Sequence, residues 1–585
     1  MKRIALSVFL FVLVLFVSCS KRPSPPAVTA TADTAGGSDI TVEATTAATT
    51  IDVPSTTEVP ATTDTPETTA APATTAAPAT TVVPVTTAAP STTAAPVTTK
   101  APETTAAPVT TEAPKTAGLA YALNPDGQSY TVVGIGSCTD KSISIPAYYN
   151  ANPVTAIGKK AFAYTAIVTV NIPDSVTQIG ELAFYECKRL VRVSIGHGVA
   201  NIESNAFSHT AITSITIPGS VERIRDHAFS DCYKLTRVTL EDGVKQIAYK
   251  AFYRSAITSI TIPGSVERIG DCAFEGCTKL TSVTVLEGVS DINNFAFRDC
   301  KKLASISLPT GLTHIGWNVL YQTAIYNNPA AWDNDVLYID NYLIGAKVSL
   351  TGNYKIKEGT TVLADYAFYR CRNLTGVTIP DGVTIISSCA FSDCNYLKSV
   401  SLGVGVTKIE SEAFFGCSSL CDITLPSTVT QIGVSAFYSC AELPAIDIPE
   451  GVTTIKRTTF CYCMQLAHVR LPESVTVIEE GAFCCCVSLS ELSMPAYLTS
   501  IGEAAFYRCS FTSIGFSDDL TAIGPGAFEE CWALTRVNYA GTIAQWSAIA
   551  AQTSFLGANY KCTAYCSDGT VTVSIPKGVR TDPKY

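Results

Sequence analysis

A phenylalanine returns every 22 or 23 residues over most of this chain, at Phe162, Phe184, Phe207, Phe229, Phe252, Phe274, Phe297, Phe368, Phe391, Phe414, Phe437, Phe460, Phe483, Phe506 and Phe528. One gap interrupts the series. Adding 23 to Phe297 lands on Leu320, a substituted Phe, so the series reads as sixteen units. With 585 residues the chain is too long for one ordinary core, and a fixed period says how the excess is used. Each unit is one supersecondary coil that buries its apolar side only against its neighbours.

Other positions keep step with the Phe in a pattern V-x-x-I-x-x-x-A-F-x-x-C-x-x-L-x-x-V-x-I-P. In Leu280-Thr281-Ser282-Val283-Thr284-Val285, Leu280, Val283 and Val285 point inward while Thr284 alternates outward, as in a half-buried strand. Proline follows the strand at Pro218, Pro263, Pro380, Pro426, Pro449 and Pro472 and ends the pairing. A turn, a second inward segment of Val and Ile, and a third of Ala-Phe complete the coil. The resulting sheet is parallel. Sixteen coils stacked about 4.8 Å apart span roughly 75–80 Å.

The pattern resembles the BspA-like, treponemal-type leucine-rich repeats of bacterial surface lipoproteins, and the resemblance runs from about Leu119 to Val579. It implies a repeat solenoid, mainly β, with a cap at each end. The lead-in is read as residues 118–160, the solenoid as 161–540 and the closing unit as 541–585. Caps are physically required, because an open end exposes apolar side chains and a strand edge. An island at 325–356 interrupts the array; Val336-Leu337-Tyr338-Ile339 and Tyr342-Leu343-Ile344 around Asp340-Asn341 read as a hairpin. The resemblance further implies adhesion to extracellular-matrix proteins such as fibronectin or fibrinogen, or aggregation between cells.

The N-terminal segment reads as an address. Lys2 and Arg3 precede an apolar run from Ile4 to Val17, which is short for a bilayer span. Phe16-Val17-Ser18-Cys19 resembles a bacterial lipobox, with Cys19 the acylated residue and 1–19 the signal peptide. Residues 20–117 form a stalk of Thr, Ala, Pro and Val, in which prolines recur every six residues from Pro54 to Pro114. Such a composition cannot offset its ordering entropy by burial, so it is expected to be disordered. Six residues are two turns of polyproline II, which places the prolines along one edge of an extended spacer. Fully extended at roughly 3.1 Å per residue, the spacer reaches on the order of 200–300 Å.

Chemistry is sparse. A net charge of −10 argues against nucleic acid as a partner. The chain holds 22 cysteines, and twelve of them sit three residues after the repeat Phe, from Cys187 to Cys531. A disulfide framework would not tolerate the Thr165, Thr210, Ser255 and Thr323 that replace them elsewhere. These cysteines are therefore read as buried packing residues. Cys562 and Cys566 in the closing unit are the candidate local disulfide. The five histidines fall in separate repeats and the dense Cys461/Cys463 and Cys484-Cys485-Cys486 clusters lack paired C-x-x-C spacing, so no metal is expected. No nucleophile-elbow, P-loop or zinc-protease motif occurs, so neither catalysis nor a cofactor is expected.

The outward strand positions run from a lawn of hydroxyls (Thr216, Thr239, Thr261, Thr284) to the charged Asp447 and Arg470, and flanking positions add His468 and Glu491. The varied set is the candidate partner face, because a uniform lawn offers little specificity. The expected function is a lipid-anchored surface protein that binds a macromolecule of a host or neighbouring cell. A surface or periplasmic scaffold without a host ligand is one alternative. A carbohydrate-active or other enzyme is another, and an aromatic-lined cleft or a converging acid pair in the island or closing unit would point to it.

Overall fold

A computed structural model describes residues 116–552, 555–556 and 561–574. The segments read from sequence as signal peptide, lipidated Cys19 and stalk, up to residue 115, lie outside the described residues.

The coil around Val283 shows how the sequence folds. In the strand Ser282–Val285, Val283 and Val285 are buried and Thr284 is exposed. This strand pairs in parallel with Ser259–Ile262, so that Val283 stands opposite Ile260 and Thr284 opposite Thr261. The chain then turns into the two-residue strand Asp291–Ile292, which pairs in parallel with Arg268–Ile269. Up to Ile315 two sheets thus run along the array, one of eleven strands and one of eight; beyond it the same pairing continues in shorter sheets.

The Phe segment makes a third ladder that no sheet pattern announces. The amides of Lys250, Phe252 and Arg254 donate to the carbonyls of Asp271, Ala273 and Glu275 in the next coil, at 3.0, 2.8 and 2.8 Å. Amides of alternate residues point one way because Lys250 and Arg254, flanking Phe252, both take left-handed backbone with φ of +53°. Left-handed backbone costs an L-residue roughly 1–2 kcal/mol, offset here by two satisfied backbone groups per rung. At Gly481, two residues before Phe483, the same conformation (φ +61°) is met by the residue that adopts it freely.

Inside the turn the Phe rings stack. Phe184 and Phe207 lie 5.0 Å apart with planes 4° from parallel, and Phe391 and Phe414 lie 5.4 Å apart at 4°. The coil spacing dictates this separation. The solenoid makes about 19 turns, a few more than the Phe-centred units, since the flanking segments and the island also wind.

The island is a coil rebuilt around a hairpin. Val336–Ile339 and Tyr342–Ala346 pair antiparallel across Asp340-Asn341. Tyr342–Ala346 then pairs in parallel with Val362–Leu363, taking the place of a short strand. Gly352–Lys355 pairs with Leu374–Thr378, taking the place of a long one. Across this junction His314 Nε2 meets Asp365 Oδ2 at 3.1 Å, a contact between residues 51 apart in sequence. The hydrogen bond to Asp365 holds the imidazole pKa above its ordinary value against the opposing effect of burial.

Both ends are closed. In the lead-in, Ala120–Leu123 and Tyr130–Gly134 pair antiparallel before Tyr130–Gly134 joins the parallel stack through Asn152–Ile157. At the other end the helix Ile543–Gln552 precedes a hairpin of Lys561–Cys566 and Gly569–Ser574. Lys561–Cys566 pairs in parallel with Arg536–Tyr539 and covers its edge. Trp546 of the helix is 1 % exposed, among the rings of Tyr539 and Phe555.

The candidate disulfide is corrected here. Cys562 and Cys566 are both free and lie four residues apart on one strand. At about 3.3 Å per residue their Cα atoms stand roughly 13 Å apart, beyond the roughly 7 Å limit for a bridge.

Candidate binding face and the cysteine ladder

The cysteine ladder is a hydrogen-bonding device. The thiol of Cys187 donates to the Phe162 carbonyl of the preceding coil at 2.9 Å, Cys232 to Phe207 at 3.2 Å, Cys394 to Phe368 at 3.0 Å and Cys531 to Phe506 at 3.0 Å. Where the turn after Phe is one residue shorter, Thr165 and Thr210 bond the Phe carbonyl of their own coil at 2.7 and 2.9 Å. Cys371, which follows the island and has no Phe coil before it, turns to the Lys347 carbonyl at 3.4 Å. The Thr replacements thus turn back to a carbonyl of their own coil, while Ser255 meets the Cys277 thiol of the next coil at 3.2 Å.

All 21 cysteines of the described residues are free. Burial pushes the thiol pKa up to about 11 at Cys232 and about 12 at Cys371 and Cys531. A thiol kept protonated and dry is a poor nucleophile. Alkylation by iodoacetamide in native buffer is therefore expected at exposed Cys421, then at half-buried Cys138 and Cys566. The ladder is expected to react only after denaturation; peptide mass spectrometry showing Cys417 or Cys440 modified in native protein would refute the assignment.

Of the four candidate partner residues, the structure brings three onto neighbouring strands. Ala445–Asp447 and His468–Arg470 are adjacent parallel strands, with Asp447 opposite Arg470 and Ala445 opposite His468. Asp447, His468 and Arg470 are exposed. Arg470 reaches Glu450 at 3.7 Å, but both side chains are more than 60 % exposed and such a pair contributes little. Glu491 is exposed too, yet its coil forms no strand on this side, so it flanks the sheet instead of extending it. Further back, Thr258 and Thr281 give their hydroxyls to the carbonyls of Thr236 and Thr258 in the coils before them, at 3.3 and 2.9 Å. These threonines stand just before the strands Ser259–Ile262 and Ser282–Val285, beside the outward Thr261 and Thr284 and not among them.

Among the described residues no group of three His, Cys, Asp or Glu side chains is placed to hold a metal ion, and no helix is long and apolar enough to cross a membrane. A cavity walled by aromatic residues lies where the island meets the array; the sequence names such a cleft only as the mark of the enzyme alternative and does not place its residues. The density of Trp and Tyr between Trp317 and Tyr369 was the available signal.

The family model for the BspA type leucine rich repeat region matches in six copies, covering 155–281, 245–352, 267–386, 361–489 and 453–556. No curated protein matches the chain. Among solved structures, a leucine-rich repeat protein from Bacteroides ovatus is similar at 23 % identity over 74 % of this chain and 95 % of that one, with a TM-score of 0.31. A leucine rich cell surface protein from Faecalibacterium prausnitzii is similar at 25 % identity over 75 % and 98 %, with a TM-score of 0.25. The pneumococcal vaccine antigen PcpA is similar at 19 % identity over 67 % and 93 %, with a TM-score of 0.28. With its Phe-centred coils, its ladders of parallel strands and a family match running from residue 155 to 556, this chain belongs to the BspA-type leucine-rich-repeat family.

Proposed function

We propose that this protein is exported, anchored through lipid on Cys19, and binds a macromolecule of a host or neighbouring cell through the face around Asp447, His468, Arg470 and Glu491. It performs no catalysis in this reading. Residues 1–19 direct export, 20–117 set the solenoid away from the membrane, and the solenoid between the caps presents the face. The supporting observation is the register of Ala445–Asp447 on His468–Arg470, which puts an acid, an imidazole and a guanidinium side by side in solvent. A rigid sheet presents such groups without ordering them first, and pre-organisation lowers the entropy cost of association. Complementary charge then sets specificity and on-rate.

The test uses the whole chain. Protease treatment of intact cells is expected to release solenoid fragments; an array untouched from outside would leave a periplasmic scaffold as the better reading. Purified protein is expected to bind immobilised fibronectin or fibrinogen, and joint replacement of the four residues by alanine to weaken binding about tenfold or more with an unchanged melting curve. Binding that is indifferent to all four would move the partner to another face.

A further inference from the structure

The break in the Phe series makes an aromatic-walled pit where the island meets the array. The Phe stack runs to Phe297, 5.4 Å from Phe274, and restarts at Phe368, 4.9 Å from Phe391. Between them Leu320 stands in for Phe and the island hairpin takes over the winding. Trp317, Tyr321, Tyr326, Trp332, Tyr366 and Tyr369 line a cavity of about 210 Å³ at this junction. Its walls stand at steep angles. Tyr321 and Tyr326 are 65° apart in plane, Tyr326 and Trp332 are 83° apart, and Trp317 lies over Tyr366 at 4.8 Å and 32°. Trp332 is locked by its indole N–H, which donates to the Tyr326 carbonyl at 2.8 Å.

We propose that this pit is a carbohydrate subsite that receives one pyranose ring of a glycan chain. Size comes first. Pockets for drug-sized ligands run to roughly 300–1,000 Å³, so this one suits a single ring. Chemistry comes second. A pyranose carries one face of C–H groups, which the negative faces of Trp and Tyr attract, and an equatorial edge of hydroxyls. Asn318 and Asp365 line the same pit and supply polar groups for that edge. Asp365 is held through Oδ2 by His314, while its buried Oδ1 has no hydrogen-bond partner among the described residues. Shape comes third. A proline-rich peptide in polyproline II needs a trough between roughly parallel rings, whereas walls near 65–83° close around one ring. The pit is separate from the sheet face around Arg470, so either assignment stands if the other fails.

The full-length protein is titrated with the tetrasaccharides of β-1,4-linked N-acetylglucosamine, glucose, mannose and galacturonic acid, following tryptophan fluorescence. Two of the four Trp residues line the pit. At least one tetrasaccharide is expected to change the signal saturably, with a Kd on the order of 1 mM or tighter. Trp332→Ala and, from the opposite wall, Tyr369→Ala are each expected to weaken that binding about tenfold, while Trp532→Phe leaves it unchanged. Circular dichroism checks that the variants fold, and Tyr369→Ala carries the test if Trp332→Ala does not. Failure of all four sugars to bind by fluorescence and by saturation-transfer NMR overturns the proposal. So does binding that survives both wall substitutions, or binding only by a peptide of the chain's own Pro-Ala-Thr-Thr-Ala-Ala repeat.

Discussion

Phe414→Ala is expected to cost about 3–5 kcal/mol and to split the unfolding of the array in two. The Phe414 ring is fully buried and stacked between Phe391 at 5.4 Å and Phe437 at 5.3 Å. Deleting it removes transfer energy and leaves a cavity that the flanking coils cannot close, because their hydrogen-bond ladders fix the spacing. In an array where each coil touches only its neighbours, stability is close to a sum of coil and interface contributions. One weakened pair of interfaces therefore lets the two sides unfold separately. Urea melts are expected to broaden and lose apparent m-value, and amide exchange to speed up first around Ala413 and Ala436. Phe414→Leu should cost far less, below about 2 kcal/mol, because the chain already carries that solution. Leu320 occupies a Phe position and is 1 % exposed. A single sharp transition with uniform exchange in Phe414→Ala would show that the array unfolds as one cooperative block.

That Leu320 fills a Phe site was legible from arithmetic on the sequence, and the reason is general. In a solenoid each position meets the same surroundings in every coil, so one Phe or one Cys reports on all its equivalents. The burial of the cysteines and the outward Thr of each strand were legible in the same way. The hairpin at Asp340-Asn341 was legible because its turn chemistry is local. What escaped notice depended on stacking between unlike segments. The strand role of Gly352–Lys355 is fixed by its partner Leu374–Thr378, which no local pattern names. Glu491 reads as a residue flanking an outward strand position, but its coil forms no strand there. The aromatic pit joins residues from Trp317 to Tyr369 across a gap that has no period. Cys562 and Cys566 looked like a pair through composition; the single strand they share keeps them apart.

Trp546→Ala is expected to uncap the array. The Trp546 side chain is the centre of the closing unit, 5.4 Å from Tyr539 and 5.6 Å from Phe555 by ring centroids. Its removal should cost about 3–5 kcal/mol locally. The helix Ile543–Gln552 has no acidic residue in its first turn and no basic one in its last, so it depends on this docking. When it lifts, the hairpin Lys561–Cys566/Gly569–Ser574 loses a neighbour and the edge of Arg536–Tyr539 opens. A parallel edge with its donors and acceptors free is a template for a second chain. Size-exclusion chromatography is expected to show concentration-dependent oligomers in Trp546→Ala, with hydrogen exchange fastest in the last coils and normal near Phe184. Trp546→Phe separates packing from polarity. The Trp546 Nε1 is buried without a hydrogen-bond partner among the described residues, so the phenyl ring forgoes only an unsatisfied donor. That variant should stay monomeric and lose less than about 1.5 kcal/mol. A monomeric Trp546→Ala with wild-type exchange throughout would mean that the hairpin alone closes the solenoid, and that the helix is dispensable to the cap.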